Sequence, residues 1–177
     1  LFSKNITMDN ILVTEGHDGV DFFDCINATV TNCEFYTGDD CIAGFGNVNL
    51  YVSDCILNSS CSAMRFGGTN AYVERCRMYG PGKYCFRGSL TKEEKAASAP
   101  SALEGHRSNM LSIFTYYSDY SMPIPVTPGN IIIADCVFEN ADRFLHFNFS
   151  GNETWQRYRP LNNIEFRNIT ATDIRMP

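Results

Sequence analysis

An interval of about 22 residues recurs along this chain and constrains its fold more than any other feature. Asn10, Cys33, Cys55 and Cys76 are separated by 23, 22 and 21 residues, and Cys136 and Asn168 extend the column. Two positions after its members lies a second column of Leu12, Phe35, Leu57, Met78 and Phe138. Three positions before the cysteines lies a third, of Val30, Val52, Val73 and Ile133. Nine or ten positions after the members up to Cys136 lies a fourth, of Val20, Ile42, Met64, Phe86 and Leu145. The segments carrying these residues are short, β-branched and aromatic, with Gly, Asn and Asp between them, which is the pattern of strands and turns. A fixed period with like residues in register is the signature of a solenoid. The LxxLxLxxN frame of a leucine-rich repeat is absent, and hairpins would not hold one register over this period. The expectation is an all-β chain, a right-handed parallel β-helix of about 22-residue coils, forming one domain over residues 1–177.

Solenoids cover their open ends with caps, and repeat-like sequence begins at once here, so a fragment lacking its N-terminal coils is expected. Two stretches break the period. One runs over about residues 90–130 and opens with a helix-like run, Thr91 to Ala97; its later part, Ile113 to Tyr120 with Pro123, Pro125 and Pro128, is aromatic and proline-rich. The other runs over residues 150–161 and holds Trp155, Arg157, Tyr158 and Arg159. Long insertions in compact folds are often functional. Aromatics beside arginines suit either a sugar platform or a cover on the side of the solenoid.

Composition narrows the function classes. The net charge of −6, from 14 basic and 20 acidic residues, argues against nucleic acid as a partner, which calls for a basic footprint. No apolar run is long enough to propose a membrane helix. The eight cysteines show no zinc-ligand spacing. Cys33, Cys55 and Cys76 read as a packed structural ladder, continued at its ends by Asn10 and Asn168. Unpaired thiols lean towards a reducing compartment. Asn-x-Ser/Thr triplets at Asn5, Asn27, Asn58, Asn148, Asn152 and Asn168 read as turn residues of the coils.

The chemistry gathers at one corner. Gly38-Asp39-Asp40-Cys41-Ile42-Ala43 places two carboxylates before an apolar strand, and Gly16-His17-Asp18-Gly19-Val20-Asp21 repeats the design 22 residues earlier. On neighbouring rungs Asp18 and Asp40 would lie roughly 4.8 Å apart. Crowded like charges hold one carboxyl protonated near neutral pH. An acid and a base are what glycosidic cleavage needs. Outward along the same strand, Asp21, Ala43, Arg65 and Arg87 fall one rung apart, with His146 in that register. Arg65, Arg87 and His146 are therefore candidates to hold a substrate carboxylate. His17 adjoins Asp18 and is a candidate to tune it.

These two Asp motifs, with Val30-Thr31-Asn32-Cys33, resemble the polygalacturonase-type pectin hydrolases, whose corresponding motif reads Asn-Thr-Asp-Gly-Ile-Asp on the preceding coil. The resemblance covers residues 5–90 and implies a right-handed β-helix that hydrolyses galacturonan with inversion and without metal or other cofactor. By position it implies Asp39 as general acid, with Asp18 and Asp40 holding the attacking water. It also implies a carbohydrate substrate and a secreted protein. The family's Gly-His-Gly falls on Cys61-Ser62-Ala63, so Ser62 stands at the histidine's position. Its Arg-Ile-Lys falls on Arg87-Gly88-Ser89, keeping only the arginine. Two other readings remain open: a non-catalytic carbohydrate-binding or surface β-helix, and a Ca²⁺-dependent polysaccharide lyase.

Overall fold

The computed structural model describes residues 2–97, 105–118 and 128–176. The chain forms a parallel β-helix-like solenoid with three faces. Along it run β1 (Lys4–Asp9), β2 (Leu12–Thr14), β3 (Val20–Phe23), β4 (Ile26–Thr31), β5 (Glu34–Thr37), β6 (Ile42–Ser53), β7 (Ile56–Ser59), β8 (Ser62–Glu74) and β9 (Arg77–Tyr79). After a one-turn helix α1 (Lys92–Ala96) come β10 (Met110–Tyr116), β11 (Gly129–Ala134), β12 (Val137–His146), β13 (Asn162–Arg167) and β14 (Thr170–Met176).

The first face stacks β1, β4, the later part of β6, the later part of β8, β11 and β13. The second stacks β2, β5, β7, β9 and the starts of β12 and β14. The third stacks β3, the starts of β6 and β8, β10 and the end of β12. Every pair is parallel, so each residue meets its counterpart one coil away. That geometry turns a sequence period into a stack. Each face sends one such stack inward: Val30, Val52, Val73 and Ile133; Phe35, Leu57, Met78 and Phe138; and Ile42, Met64 and Phe114, all with no solvent exposure. Burial at roughly 1.5–3 kcal/mol per large apolar side chain makes these stacks the main driving force.

The corner between the first two faces explains the cysteines. Asn32, Asp54, Arg75 and Asp135 take left-handed backbone conformations with φ of 50–56°, and the next residue is cysteine each time. Its thiol turns back to the carbonyl two residues earlier: Cys33 to Thr31, Cys55 to Ser53, Cys76 to Glu74 and Cys136 to Ala134, at 3.0–3.2 Å. The small thiol closes a tight corner and stays free. Asn10 and Asn168 belong to the left-handed column and not to the cysteine stack. The stack ends instead in Ile11, whose carbonyl accepts from Glu34 N–H, and in Ile169, whose neighbour Thr170 donates to the Cys136 carbonyl. Likewise Val13, not Leu12, lies in register with Phe35, because Asn10 precedes the ladder position by one. A second left-handed column, Asn5, Asn27, Asn49, Asn70, Asn130 and Asn163, forms an amide ladder with N···O distances of 2.9–3.3 Å.

The longer excursion divides differently from the reading over residues 90–130. The chain leaves the ladder after β9 and returns at β10, which supplies Phe114 and Thr115 to the third face where Phe86 and Arg87 were expected. A register counted from the coil before it landed 28 residues early, inside the insertion. The helix at residues 92–96 is present, with Thr91 and Glu94 forming a reciprocal capping box. Of the aromatic, proline-rich part, residues 113–116 are strand, and Tyr120, Pro123 and Pro125 lie outside the described residues.

Candidate active site

The corner between the second and third faces carries the carboxylates. Val20 pairs with Ile42 and Ile42 with Met64, which places Asp18, Asp40 and Ser62 on successive rungs. The Asp40 backbone N–H donates to Asp18 Oδ1 at 3.1 Å, and Gly19 N–H donates to the Asp40 carbonyl at 2.8 Å. Asp39 N–H donates to the His17 carbonyl at 3.0 Å. The two Asp motifs are thus stitched together by their backbones, and the sequence period brings the three carboxylates to one place.

Their environments differ. Asp40 has no exposed surface. Burial first, and then the neighbouring charges of Asp39 and Asp18, push its carboxyl up to about 7 against the pull of Arg65. Arg65 Nε lies 3.3 Å from Asp40 Oδ2, and its guanidinium covers the Tyr117 ring at 4.3 Å. Asp39 is 14% exposed, and burial and then Asp18 raise its carboxyl above the ordinary range, while the Cys61 thiol and His17 oppose the rise. Asp18 is 11% exposed. His17, at 63% exposure, reaches both carboxylates, with Nδ1 3.2 Å from Asp18 Oδ2 and Nε2 3.7 Å from Asp39 Oδ2. An accessible pair, Asp18 and Asp39, therefore sits over a buried third.

The remaining candidates separate. Ser62 is 1% exposed, and its hydroxyl bonds Thr115 Oγ1 at 2.9 Å within a buried cluster that includes Ser112. It faces the interior beside Asp40 and offers no group to a substrate. Arg65 is in the expected row with Asp21 and Ala43, but Thr115 takes the next place and Arg87 is absent from the row. Arg87 lies on the insertion, where its backbone N–H donates to the Gly38 carbonyl at 3.2 Å. Its backbone therefore lies beside the Asp39 turn, outside the row that holds Arg65. His146 pairs with Thr115, two rungs from Arg65 or roughly 9–10 Å. It packs edge-on to Trp155 with ring centroids 6.0 Å apart, and burial lowers its basicity. It does not join the carboxylates.

Both excursions border this corner. Ser60 Oγ donates to the carbonyls of Tyr84 and Ser108, and Arg107 Nη2 donates to the Ser60 carbonyl at 3.1 Å. A Cβ on Gly38 would stand 2.4 Å from the Cys85 carbonyl oxygen, so glycine is needed for the insertion to close on the Asp39 turn. On the other flank Tyr117 packs edge-on against Phe45 and Trp155. The Gln156 side chain pins that flank, donating to the carbonyls of Tyr116 and His146 and accepting from Asn148 N–H at 2.8–3.0 Å. Trp155 thus serves as a side cover as well as a wall.

Sequence reasoning did not single out Cys61, Arg107 or Tyr117. Cys61 was visible one residue before Ser62 on the next rung. Arg107 and Tyr117 lie across insertions whose length hides their register.

No family model matches the chain. No curated protein and no solved structure matches it either.

Proposed function

We propose that this protein is a glycoside hydrolase of the polygalacturonase type, cleaving a pectic or related uronic-acid-containing saccharide by carboxylate acid/base chemistry. The observation that carries the reading is the convergence of Asp18, Asp39 and Asp40, in unlike environments, on an edge bordered by Arg65 and by the insertion. Asp39, partly exposed and with its proton held more tightly than usual, is the acid that protonates the departing glycosidic oxygen. Asp18 is the accessible carboxylate that holds and activates water, and Asp40 supports it from below through its backbone N–H. Arg65, fixed between Asp40 and Tyr117, presents a guanidinium edge to a substrate carboxylate. His17 spans Asp18 and Asp39 at the mouth.

One oxygen each of Asp18 and Asp39 lie within 4.8 Å of one another. Carboxyls of inverting enzymes are usually about 6.5–9.5 Å apart. Inversion here therefore requires the water to sit against Asp18 beside the bond, not across a wide gap, and the anomeric form of the first product tests it.

The binding-module reading draws on Ser62, which buries a hydroxyl where the resembling family carries a histidine. A Ca²⁺-dependent lyase is favoured less, because Ca²⁺ takes six to eight oxygen ligands and this corner supplies three carboxylates. Hydrolysis of a pectic-oligosaccharide panel, with and without EDTA, comparing wild type with Asp39→Asn, separates the three. EDTA-resistant cleavage lost in the variant supports hydrolysis. Cleavage abolished by EDTA indicates the lyase, and binding without turnover in both proteins indicates the module.

A further inference from the structure

We propose that Asp39, Asp40 and Cys61 form a binding site for one thiophilic divalent cation, of the Zn²⁺ or Co²⁺ kind, which occupies the carboxylates and blocks their acid/base use. Ligand atoms of these three side chains lie within 4.8 Å of one another. A tetrahedral ion with bonds of about 2.0–2.3 Å needs its donors roughly 3.3–3.8 Å apart, a contraction of at most about 1–1.5 Å from that bound. Carboxylate proximity alone would not carry this, but Asp40 adds an independent observation. It is wholly buried, neither of its oxygens accepts a hydrogen bond of good geometry, Oδ2 lies 3.3 Å from Arg65 Nε, and the neighbouring Ser62 hydroxyl, which lowers its proton affinity, is shared with Thr115. Oδ1 is thus a buried acceptor without a well-formed hydrogen bond among the described residues, in a corner where a cation would satisfy it.

The thiol gives the site its selectivity. Of the eight cysteines, Cys61 alone is not buried. Without metal its thiol carries a proton, as an ordinary cysteine does at neutral pH, and it faces Asp39. An arriving ion displaces that proton to solvent and forms the metal–sulfur bond, with no change in oxidation state. Two carboxylates and a thiolate then carry three negative charges, matched by two on the ion and one on Arg65. Thiolate ligation favours Zn²⁺ and Co²⁺ over Ca²⁺ and Mg²⁺, which take oxygen ligands. A second triad, His17, Asp18 and Asp39, also falls within 4.8 Å, but it shares Asp39 and lacks the thiol.

Cobalt(II) titration of the full chain, reduced and stripped of metal, reads occupancy without turnover, so it decides this site even if the hydrolase reading fails. The expected result is a near-ultraviolet thiolate-to-cobalt band saturating at about one equivalent, bleached by Zn²⁺ and unaffected by Ca²⁺. The band should vanish in Cys61→Ser, weaken at least tenfold in apparent affinity in Asp39→Asn, and persist in His17→Ala. A band that survives Cys61→Ser, effective competition by Ca²⁺, or loss of the band in His17→Ala would each overturn the assignment. So would a wild-type protein that shows no band. The stoichiometry and the Ca²⁺ competition use wild type alone, so a poorly folding variant leaves the test intact. If hydrolysis is observed, the same Zn²⁺ titration should inhibit it in parallel with bleaching.

Discussion

Asp40→Asn should stabilise this protein at neutral pH. The folded environment raises the Asp40 carboxyl from 3.8 to about 7. Between those values the folded chain binds more protons at this position than the unfolded chain does. Stability therefore falls as pH rises from about 4 to 7. A shift of roughly three units, at about 1.4 kcal/mol each, puts the cost of Asp40 at neutral pH on the order of 4 kcal/mol. Asparagine has the same shape and no charge, so it removes that cost. It also takes the carboxylate away from Arg65, which is itself largely covered. The pull of Arg65 is already contained in the raised value, so the gain is up to about 4 kcal/mol, or up to roughly 8–16 °C in Tm for a chain of this length. Thermal unfolding followed by circular dichroism from pH 4 to pH 8 measures it. Wild type should lose stability across that range, and the variant should change much less, with the two curves converging near pH 4. A variant less stable than wild type at pH 7, with both declining in parallel, would show that Arg65 already neutralises Asp40 and would refute the reasoning.

Three further outcomes follow from the same contacts. Asp39→Asn should lower kcat/KM by about 10²–10⁴-fold, the usual range for a general acid, with little change in Tm; a loss under tenfold would remove Asp39 from that role. Gly38→Ala drives a Cβ to 2.4 Å from the Cys85 carbonyl oxygen and 2.9 Å from that of Gly16. Overpacking against backbone should cost about 1–3 kcal/mol, seen as a lower Tm, and an unchanged Tm would mean the insertion does not seat on this turn. Gln156→Leu strips a fully buried amide of three hydrogen bonds. Hydrogen exchange across residues 147–161 should quicken by about 10–100-fold, while the β1–β4 ladder stays protected; equal loss in both would make Gln156 a global rather than a local tie.

The fold was legible because a parallel solenoid repeats one local problem. Val30, Val52 and Val73 had to stack once the period was known, and so did Asp18 and Asp40. The errors share one physical cause, which is that periodicity fixes spacing but not phase or the length of an insertion. Asn10 and Asn168 looked like ladder ends because asparagine suits a corner, yet the left-handed φ they adopt belongs one residue before the cysteine. Arg87 falls in the outer row only if the coil holding it is regular. The chain had already left the ladder after Tyr79, and Thr115 fills that place. Burial of the Ser62 hydroxyl was equally hidden, because its partners Ser112 and Thr115 lie beyond the same insertion.

The position of the carboxylates follows from where the coil is free to vary. Inward positions are fixed by stacks with no exposure, and the cysteine corner is fixed by its turn. The corner between the second and third faces is a link of few residues on three successive coils, held on both sides by ladders. Groups placed there inherit the rung spacing, so three coils present three side chains at regular intervals of about 4.8 Å. Two such rungs carry Asp18 and Asp40, and the third carries Ser62 with Cys61 beside it. Exchanging one rung's residue alters the chemistry of the edge while leaving both ladders intact. A buried carboxylate that weakens the fold is tolerated there because its backbone is held through Gly19 on one coil and through Cys41, its neighbour, bonded to Ser62 on the next. That combination, an unfavourable charge on a rigidly fixed rung, is what distinguishes Asp40 from an ordinary turn aspartate such as Asp54, which is exposed and paired with Arg75.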